Sequence, residues 1–509
     1  MIAKLLGHWF NGKRRIERRL DKTVLGDLDG PMFTARNIHY ESGGRCHGMG
    51  FGGIGAIHLL ARQIGLVDAI DQELHLLKLH LPFHESDHVL NIAYNALCDG
   101  DCLQDIELRR NDEVFLDALG ARRIPDPTTA GDFCRRFQPE HVEQLQDIMD
   151  TVRRRVWAGQ PREFFTEARI DFDGHLVKTT GECKQGMNLA YEGTWGYHAL
   201  LVSLANTGEV LRIVNRSGNR PSQEGAAAEA DRAIALCLGG GFRRVLLRGD
   251  TDFSQTEHLD RWNADGRVRF IFGYDCKSNL VAQAEELPKT AWNRLQRPPR
   301  YEVHTAPRTR PANVKEQVVR EREYENQRLE EEHVAEFEYR PTACQQSYRM
   351  VVLRKRIAVE RGQRRLFDKV TYFLYITNDR EHLACEIVLL ANDRCQQENL
   401  IEQLSNGVRS LRAPVDTLVS NWAYMVMSGL AWNLKAWAAL TLPERPGRWQ
   451  TRHQEEKQAV LKMEFKKFVN AFIRIPCQIV RTGRKLVYRL WSWNPWQPML
   501  FRLLGELRH

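Results

Sequence analysis

At about residue 168 the hydrophobic period of this chain switches from that of helices to that of strands. The order of elements that follows restricts the fold more than any other feature. ARIDFDGHLVKT alternates apolar and polar residues, with Ile170 and Phe172 on one face of a strand and Asp171 and Asp173 on the other. YHALLVSLANTGEVLRIVNRSGN reads as two strands turning at Asn206, Thr207 and Gly208. The alanine-rich run 222–238 is helical, FRRVLLRGD is a buried strand ending in Asp250, SQTEHLDRWNADG is a helix and RVRFIFGYD a further strand. Three antiparallel strands followed by strands joined through helices predict a mixed α/β fold.

That order is the one a ribonuclease H-like core would show. In such a sheet the first and fourth strands are neighbours, so Asp173 and Asp250, 77 residues apart, are expected to share a metal site. A third acid, Glu398, lies in NDRCQQENLIEQLSNG, where helical spacing puts Arg394 and Glu398 on one face, Glu402 a turn on, and Leu400, Ile401 and Leu404 free to pack. Phosphodiester chemistry needs the attacking and leaving oxygens stabilised together, as two divalent metals roughly 4 Å apart can do. Magnesium takes hard oxygen ligands and keeps several waters, so two or three carboxylates plus substrate phosphate complete such a site. Asp171 and Asp252, each two residues from its neighbour, are rival ligands.

Around this core the organisation is as follows. Residues 1–155 are read as a helical N-terminal DNA-binding region, with helical spacing from about 55 in AIHLLARQIGLVDAI, HVLNIAYNALCDG, CLQDIELRR and EHVEQLQDIMDTVRRRVW. In RRIPDPTTAGDFCRRF, Pro125 and Pro127 precede Thr128 or Thr129 as a helix cap; a DNA-reading helix-turn-helix and simple packing both fit. ESGGRCHGMGFGGIGAIHLLARQIGL is glycine-rich before a helix, but the spacing is neither a P-loop nor a dinucleotide fingerprint and the lysine is missing. Residues 165–284 form the first part of the catalytic core. Residues 285–390 read as a β-rich insertion in it, with a separate β-domain as the alternative, and 391–440 complete the core. The tail 441–509 is expected to be helical and basic, with Arg474, Arg481, Arg484, Lys485 and Arg489 interleaved with Phe472, Ile475, Val480, Tyr488 and Trp491. Such a stretch suits a nucleic-acid backbone or a solvated amphipathic helix.

A chain of 509 residues is long for one domain, and a domain size of about 100–200 residues suggests three or so. Hydrophobic residues at 43% and charged residues at 27% suit a globular protein, and a net charge of +8 tilts only mildly toward a polyanionic partner. Eleven cysteines stand without a paired framework, and Cys98 and Cys102 lack a second pair at zinc spacing, so reduced thiols in a cytosolic protein are expected. MIAKLLGHWFNGKRR does not read as a secretory signal, and no stretch approaches the roughly 20 apolar residues of a membrane span. No membrane partner is therefore expected.

The chain resembles bacterial insertion-sequence transposases of the DDE type, in particular the branch related to insertion sequence 1380, also called DDE transposase group 1. The likeness covers nearly the whole length, most clearly DFDGHLVKTTGECKQGMNLAYEGTWGYHALLVSLANTGEVLRIVNRSGNRPS, RGDTDFS and RCQQENLIEQLSNGV. It places the family's first acid on Asp173, followed by Gly174 and by His175 where the family has Thr or a similar residue. The second falls on Asp250, with Asp252 in place of a glycine, and the third on Glu398, with Arg394 matching, Ala391 at a Tyr position and Ser405 at a Lys position. The resemblance implies cut-and-paste transposition on double-stranded DNA, with binding of terminal inverted repeats, cleavage and strand transfer by a bacterial cytoplasmic, nucleoid-associated homodimer. Two Mg²⁺ (or Mn²⁺) ions would be held by Asp173, Asp250 and Glu398, Arg394 would steady the scissile phosphate, and Arg481, Arg484 and Lys485 would grip DNA. Trp195 or Tyr197 would either stack a flipped base or pack in the core. A ribonuclease H-like nuclease that cuts without joining, or a non-catalytic DNA-binding derivative, is the alternative. A paired-carboxylate glycosidase fits the basic tail and Arg394 poorly.

Overall fold

The computed structural model describes residues 10–15, 17–18, 38–40, 47–80, 82–298, 313–362, 364–483 and 485–507. Its strands are β1 (Gly48–Met49), β2 (Ala168–Lys178), β3 (Asn188–Leu189), β4 (Trp195–Leu204), β5 (Glu209–Val214), β6 (Val245–Gly249), β7 (Val268–Tyr274), β8 (Asn293–Arg294), β9 (Glu325–Tyr339), β10 (Tyr348–Arg361), β11 (Arg364–Thr377), β12 (Cys477–Thr482) and β13 (Lys485–Leu490). Ten of them form one mixed sheet in the order β3, β4, β2, β6, β7, β11, β10, β9, β8, with β5 also paired to β4. β2, β6 and β7 run parallel, β4 is antiparallel to β2, and β5 is antiparallel to β4. The expected α/β class is therefore the one observed, and β2 lies beside the strand that ends just before Asp250.

β6, VLLRG, is buried along its whole length, as a central parallel strand with both faces covered requires. Its alternate residues divide between two apolar clusters. Val245 and Leu247 join the large one, with Ala226, Ala230 and Ala233 of the helix Ala226–Gly239. Leu246 joins the smaller one, with Ile387 and Val388 of the helix Ala384–Asn392.

The β-rich segment extends this same sheet. β11 pairs with β7 over residues 374–377 opposite 271–274, so no separate β-domain forms. Residues 299–312 of that segment lie outside the described residues.

The N-terminal region is helical from Ile54, as its periodicity predicts. One detail differs: the helix Pro127–Arg135 is capped by Asp126, which accepts from the Thr129 N–H at 2.8 Å and its hydroxyl at 3.1 Å, rather than by Thr128 or Thr129. An acid followed by proline at the first helical position is the stronger cap arrangement. Ala130, Phe133 and Cys134 of that helix are buried, and it packs on the helix Leu418–Leu440.

Leu418–Leu440 organises the helical body. Of its 23 residues 21 are buried, which a helix apolar on every side requires. It touches the helices Glu85–Leu97, Pro139–Ala158 and Gln450–Leu461, and β5 as well. Among the described residues no helix is long and apolar enough to cross a membrane.

The tail corrects an expectation. Helices Gln450–Leu461 and Gln497–Glu506 are present, but the basic stretch between them is the hairpin β12–β13, and it pairs with β1. Cys477 and Ile479 point inward while alternate residues do not, and Gly483 takes φ 56° at the turn. The spacing of Arg481, Arg484, Lys485 and Arg489 suits a helix face as well, and it is the pairing of β12 with β13 and with β1 that makes this stretch a hairpin.

The glycine-rich stretch serves this union. The Gly52 N–H donates to Ile475 O at 2.8 Å and the Gly53 N–H to Ile473 O at 3.0 Å. A Cβ on Gly53 would lie 1.6 Å from Phe472 O, so only glycine allows the two backbones this close. With these donors spent on the chain itself, they are not a phosphate cradle.

Candidate active site

Asp171 and Asp173 share one face of β2, as the alternation predicts, but their surroundings differ. Asp171 stands opposite Arg248 in the parallel register and takes its guanidinium on both oxygens, Nε to Oδ1 at 2.7 Å and Nη2 to Oδ2 at 2.8 Å. Both side chains are buried, and Arg248 Nη1 donates to Leu390 O at 2.9 Å. Asp171 thus engages Arg248 with both of its oxygens.

Asp173 is more open. Its Oδ1 accepts from the Gly174 N–H at 2.9 Å and its Oδ2 from Arg394 Nη1 at 3.2 Å. Asp250, just beyond β6, accepts from the Asp252 N–H on Oδ1 at 3.0 Å, while its Oδ2 lies 4.0 Å from Arg394 Nη2. One guanidinium thus faces two carboxylates. Burial pushes the Asp173 carboxyl up to about 6, opposed by Arg394 and reinforced by the Asp250 charge. Burial also raises Asp250, with Arg394 opposing and Asp252 reinforcing. Desolvation is thus the larger cause at both acids. Asp252 takes part through its backbone N–H and through its charge, which also acts on His198.

The helix Cys395–Glu402 packs on β2. Gln397 and Leu400 are its buried residues, and the Ser203 hydroxyl of β4 donates to Gln397 Oε1. Arg394, at its start, reaches Asp173. Ser405, in the wide π-turn Gln403–Gly407, contacts His175, Oγ to Nε2 at 3.2 Å. Glu398 lies along the helix between these contacts and is exposed. Among the described residues no three His, Cys, Asp or Glu side chains stand close enough to hold a metal ion. The structure therefore gathers Asp173, Asp250 and Arg394, and leaves Glu398 outside that contact set.

The other anticipated residues are placed elsewhere. Arg481 is on β12 and donates to Asp117 Oδ1 at 2.6 Å, Lys485 begins β13 and is exposed, and Arg484 lies outside the described residues. Tyr197 is buried and donates to Gln185 O at 2.8 Å, whereas Trp195 is exposed. Three contributors escaped the reading of the sequence: Arg248, the Ser203–Gln397 tie and the His175–Ser405 contact. An arginine inside the buried run VLLRGD was a signal for the first, since a charge there requires a partner. The last is instructive: His175 and Ser405, two positions at which this chain departs from the DDE pattern, touch each other.

Among curated proteins none matches this chain. A similar solved structure is the cryo-EM structure of the piggyBac transposase synaptic complex with hairpin DNA, 9% identical, covering 82% of this chain and 82% of that one, at a TM-score of 0.35. The family described as transposase DDE domain group 1 matches residues 36–509, the acid pair and its arginine included, and the chain belongs to it.

Proposed function

We propose that this chain is a cut-and-paste DNA transposase of the branch related to insertion sequence 1380, acting as a homodimer in the bacterial cytoplasm on its terminal inverted repeats. The observation that carries the reading is the convergence of Asp173 and Asp250 on one arginine. The strand order of β5, β4, β2, β6 and β7 supports a ribonuclease H-like core.

The donor set fits divalent cations. Two partly buried carboxylates, with hard oxygens and one arginine between them, carry negative charge that a cation would balance. Asp173 and Asp250 would hold Mg²⁺ or Mn²⁺, and Glu398, exposed and outside their contact set, would have to turn toward them to complete a two-ion site. Such ions, when bound, stabilise charge on the attacking and leaving oxygens of a phosphodiester. Arg394 grips the scissile phosphate, where a planar guanidinium binds two oxygens. The buried Ser203–Gln397 tie holds the helix that carries Arg394 and Glu398 against the sheet.

The test uses a labelled duplex of the inverted repeat flanking the gene, with Mg²⁺ or Mn²⁺ and a target plasmid. The expected result is 3′-OH formation and joining by the wild type, lost in Asp173→Ala, Asp250→Ala and Glu398→Ala. Cleavage that survives one of these changes removes that residue from the assignment. Cleavage without joining turns the reading to a nuclease.

A further inference from the structure

Each of the two site acids has one oxygen held by the backbone. Asp173 Oδ1 accepts from the Gly174 N–H at 2.9 Å, and Asp250 Oδ1 from the Asp252 N–H at 3.0 Å. The other oxygen of each, Oδ2, faces Arg394. Nη1 is 3.2 Å from that of Asp173 and Nη2 4.0 Å from that of Asp250. A divalent cation shared through these two oxygens would hold them at about 2 Å, where the guanidinium now spans them. Two cations crowded at one pair of oxygens repel each other, so ion and arginine compete for the same place.

Arg394 is free to yield in a way that Arg248, the arginine of the neighbouring acid, is not. Arg248 is buried and joined to Asp171 by two bonds of 2.7 and 2.8 Å, a fixed bidentate pair. The Arg394 side chain is 18% exposed, and among the described residues its guanidinium makes one hydrogen bond, at 3.2 Å. It stands just before the helix Cys395–Glu402, which the Ser203–Gln397 tie keeps on the sheet whether or not the arginine moves. A partly exposed ion pair of this kind exchanges partners at little cost.

We propose that Arg394 is a latch on the metal site. Before DNA arrives, its guanidinium balances Asp173 and Asp250 and keeps a divalent cation from their Oδ2 atoms. A DNA phosphate draws the guanidinium off and frees both oxygens. Metal and DNA therefore bind with positive cooperativity, and the site is loaded only where DNA is held. Such a latch rests on the transposase reading above, since it needs a cation shared by the two acids and a phosphate to take the arginine.

The experiment measures Mn²⁺ binding to the DNA-free, full-length protein at pH 8, from the loss of the free-ion electron spin resonance signal. Arg394→Met and Arg394→Gln are expected to bind Mn²⁺ about tenfold more tightly than the wild type, and Arg394→Lys, which keeps the charge, to stay near it. Thermal melting reports folding, and Arg394→Gln decides if Arg394→Met does not fold. Coupling is reciprocal, so Ca²⁺ at matched ionic strength should tighten wild-type binding of the inverted-repeat duplex, and should do so less in Arg394→Gln. Unchanged or weaker Mn²⁺ binding in Arg394→Gln, or an equal gain from Ca²⁺ in Arg394→Gln and the wild type, overturns the latch while leaving the transposase reading intact. Tightened Mn²⁺ binding that persists when Asp173→Ala is added to Arg394→Gln removes the metal from the acid pair and overturns both. Failure of the wild type to bind the duplex at any salt also overturns both.

Discussion

Replacing Asp171 by asparagine separates two acids that stand two residues apart on one strand face. Asp171 and Arg248 are 1% and 2% exposed and share bonds of 2.7 and 2.8 Å. Removing one partner of a buried ion pair costs about 3–5 kcal/mol, because the other charge stays buried and unpaired. Arg248 would keep its bond to Leu390 O, and asparagine keeps one acceptor, so about 3 kcal/mol is expected for Asp171→Asn. Asp173→Asn removes a carboxylate already destabilised by burial and by Asp250, and its arginine still faces Asp250. Its expected cost is under about 1 kcal/mol. Urea unfolding at pH 7, followed by tryptophan fluorescence, reads the stabilities, and metal-dependent cleavage of the labelled repeat reads the chemistry. Asp171→Asn should lower the midpoint while its folded fraction still cleaves; Asp173→Asn should do the reverse. The double change Asp171→Leu with Arg248→Met should recover most of the lost stability, since no charge is then stranded. A wild-type midpoint with dead chemistry in Asp171→Asn would refute the assignment of this acid to structure.

Three further expectations can be checked alongside it. Lys435 is buried, donates to Leu461 O at 2.9 Å and sits 3.9 Å from the centre of the Trp432 ring, and burial pulls its amine down to about 7. An unfolded lysine holds its proton to about 10.4, so the unfolded chain binds more protons between these values and stability rises with pH across that window. Lys435→Met should therefore be more stable than the wild type at pH 7, with the advantage closing by about pH 10; equal differences at both pH values would count against it. Gly53→Ala forces a Cβ onto Phe472 O, and a drop in melting temperature large enough to expose the helix Ile54–Gln63 to protease is expected, where full protection would show that the backbones separate freely. If the β12–β13 hairpin grips DNA, Arg481→Ala with Lys485→Ala should lower the salt slope of duplex binding by about 1.8, and an unchanged slope would remove the hairpin from the interface.

The acid-bearing sheet was legible because its information is local. Period-two alternation marks β2, a short run broken only by Arg248 marks β6, and acids at those places come together once the strands are neighbours. Alternation cannot tell Asp171 from Asp173, which share a face; the difference lies in Arg248, a residue 77 positions away. The same limit applies to His175 and Ser405, which touch across 230 positions. The hairpin was misread for another reason. Alternating basic and apolar residues satisfy both a strand and a loosely amphipathic helix, and the choice was made by β1, a two-residue strand too short to leave a pattern of its own.

Joining β1 and the glycines after it to residues 473–491 sets an order of assembly during synthesis. The partners are roughly 430 residues apart, which at about 5–20 residues per second is tens of seconds on the ribosome. Through that interval Gly52 and Gly53 have no carbonyl to receive their N–H groups, and the helix Ile54–Gln63 has no hairpin beside it. The acid pair needs only β2, β6 and Arg394, all made earlier. A nascent chain would thus assemble its chemistry while the clasp that shuts its helical body is still untranslated.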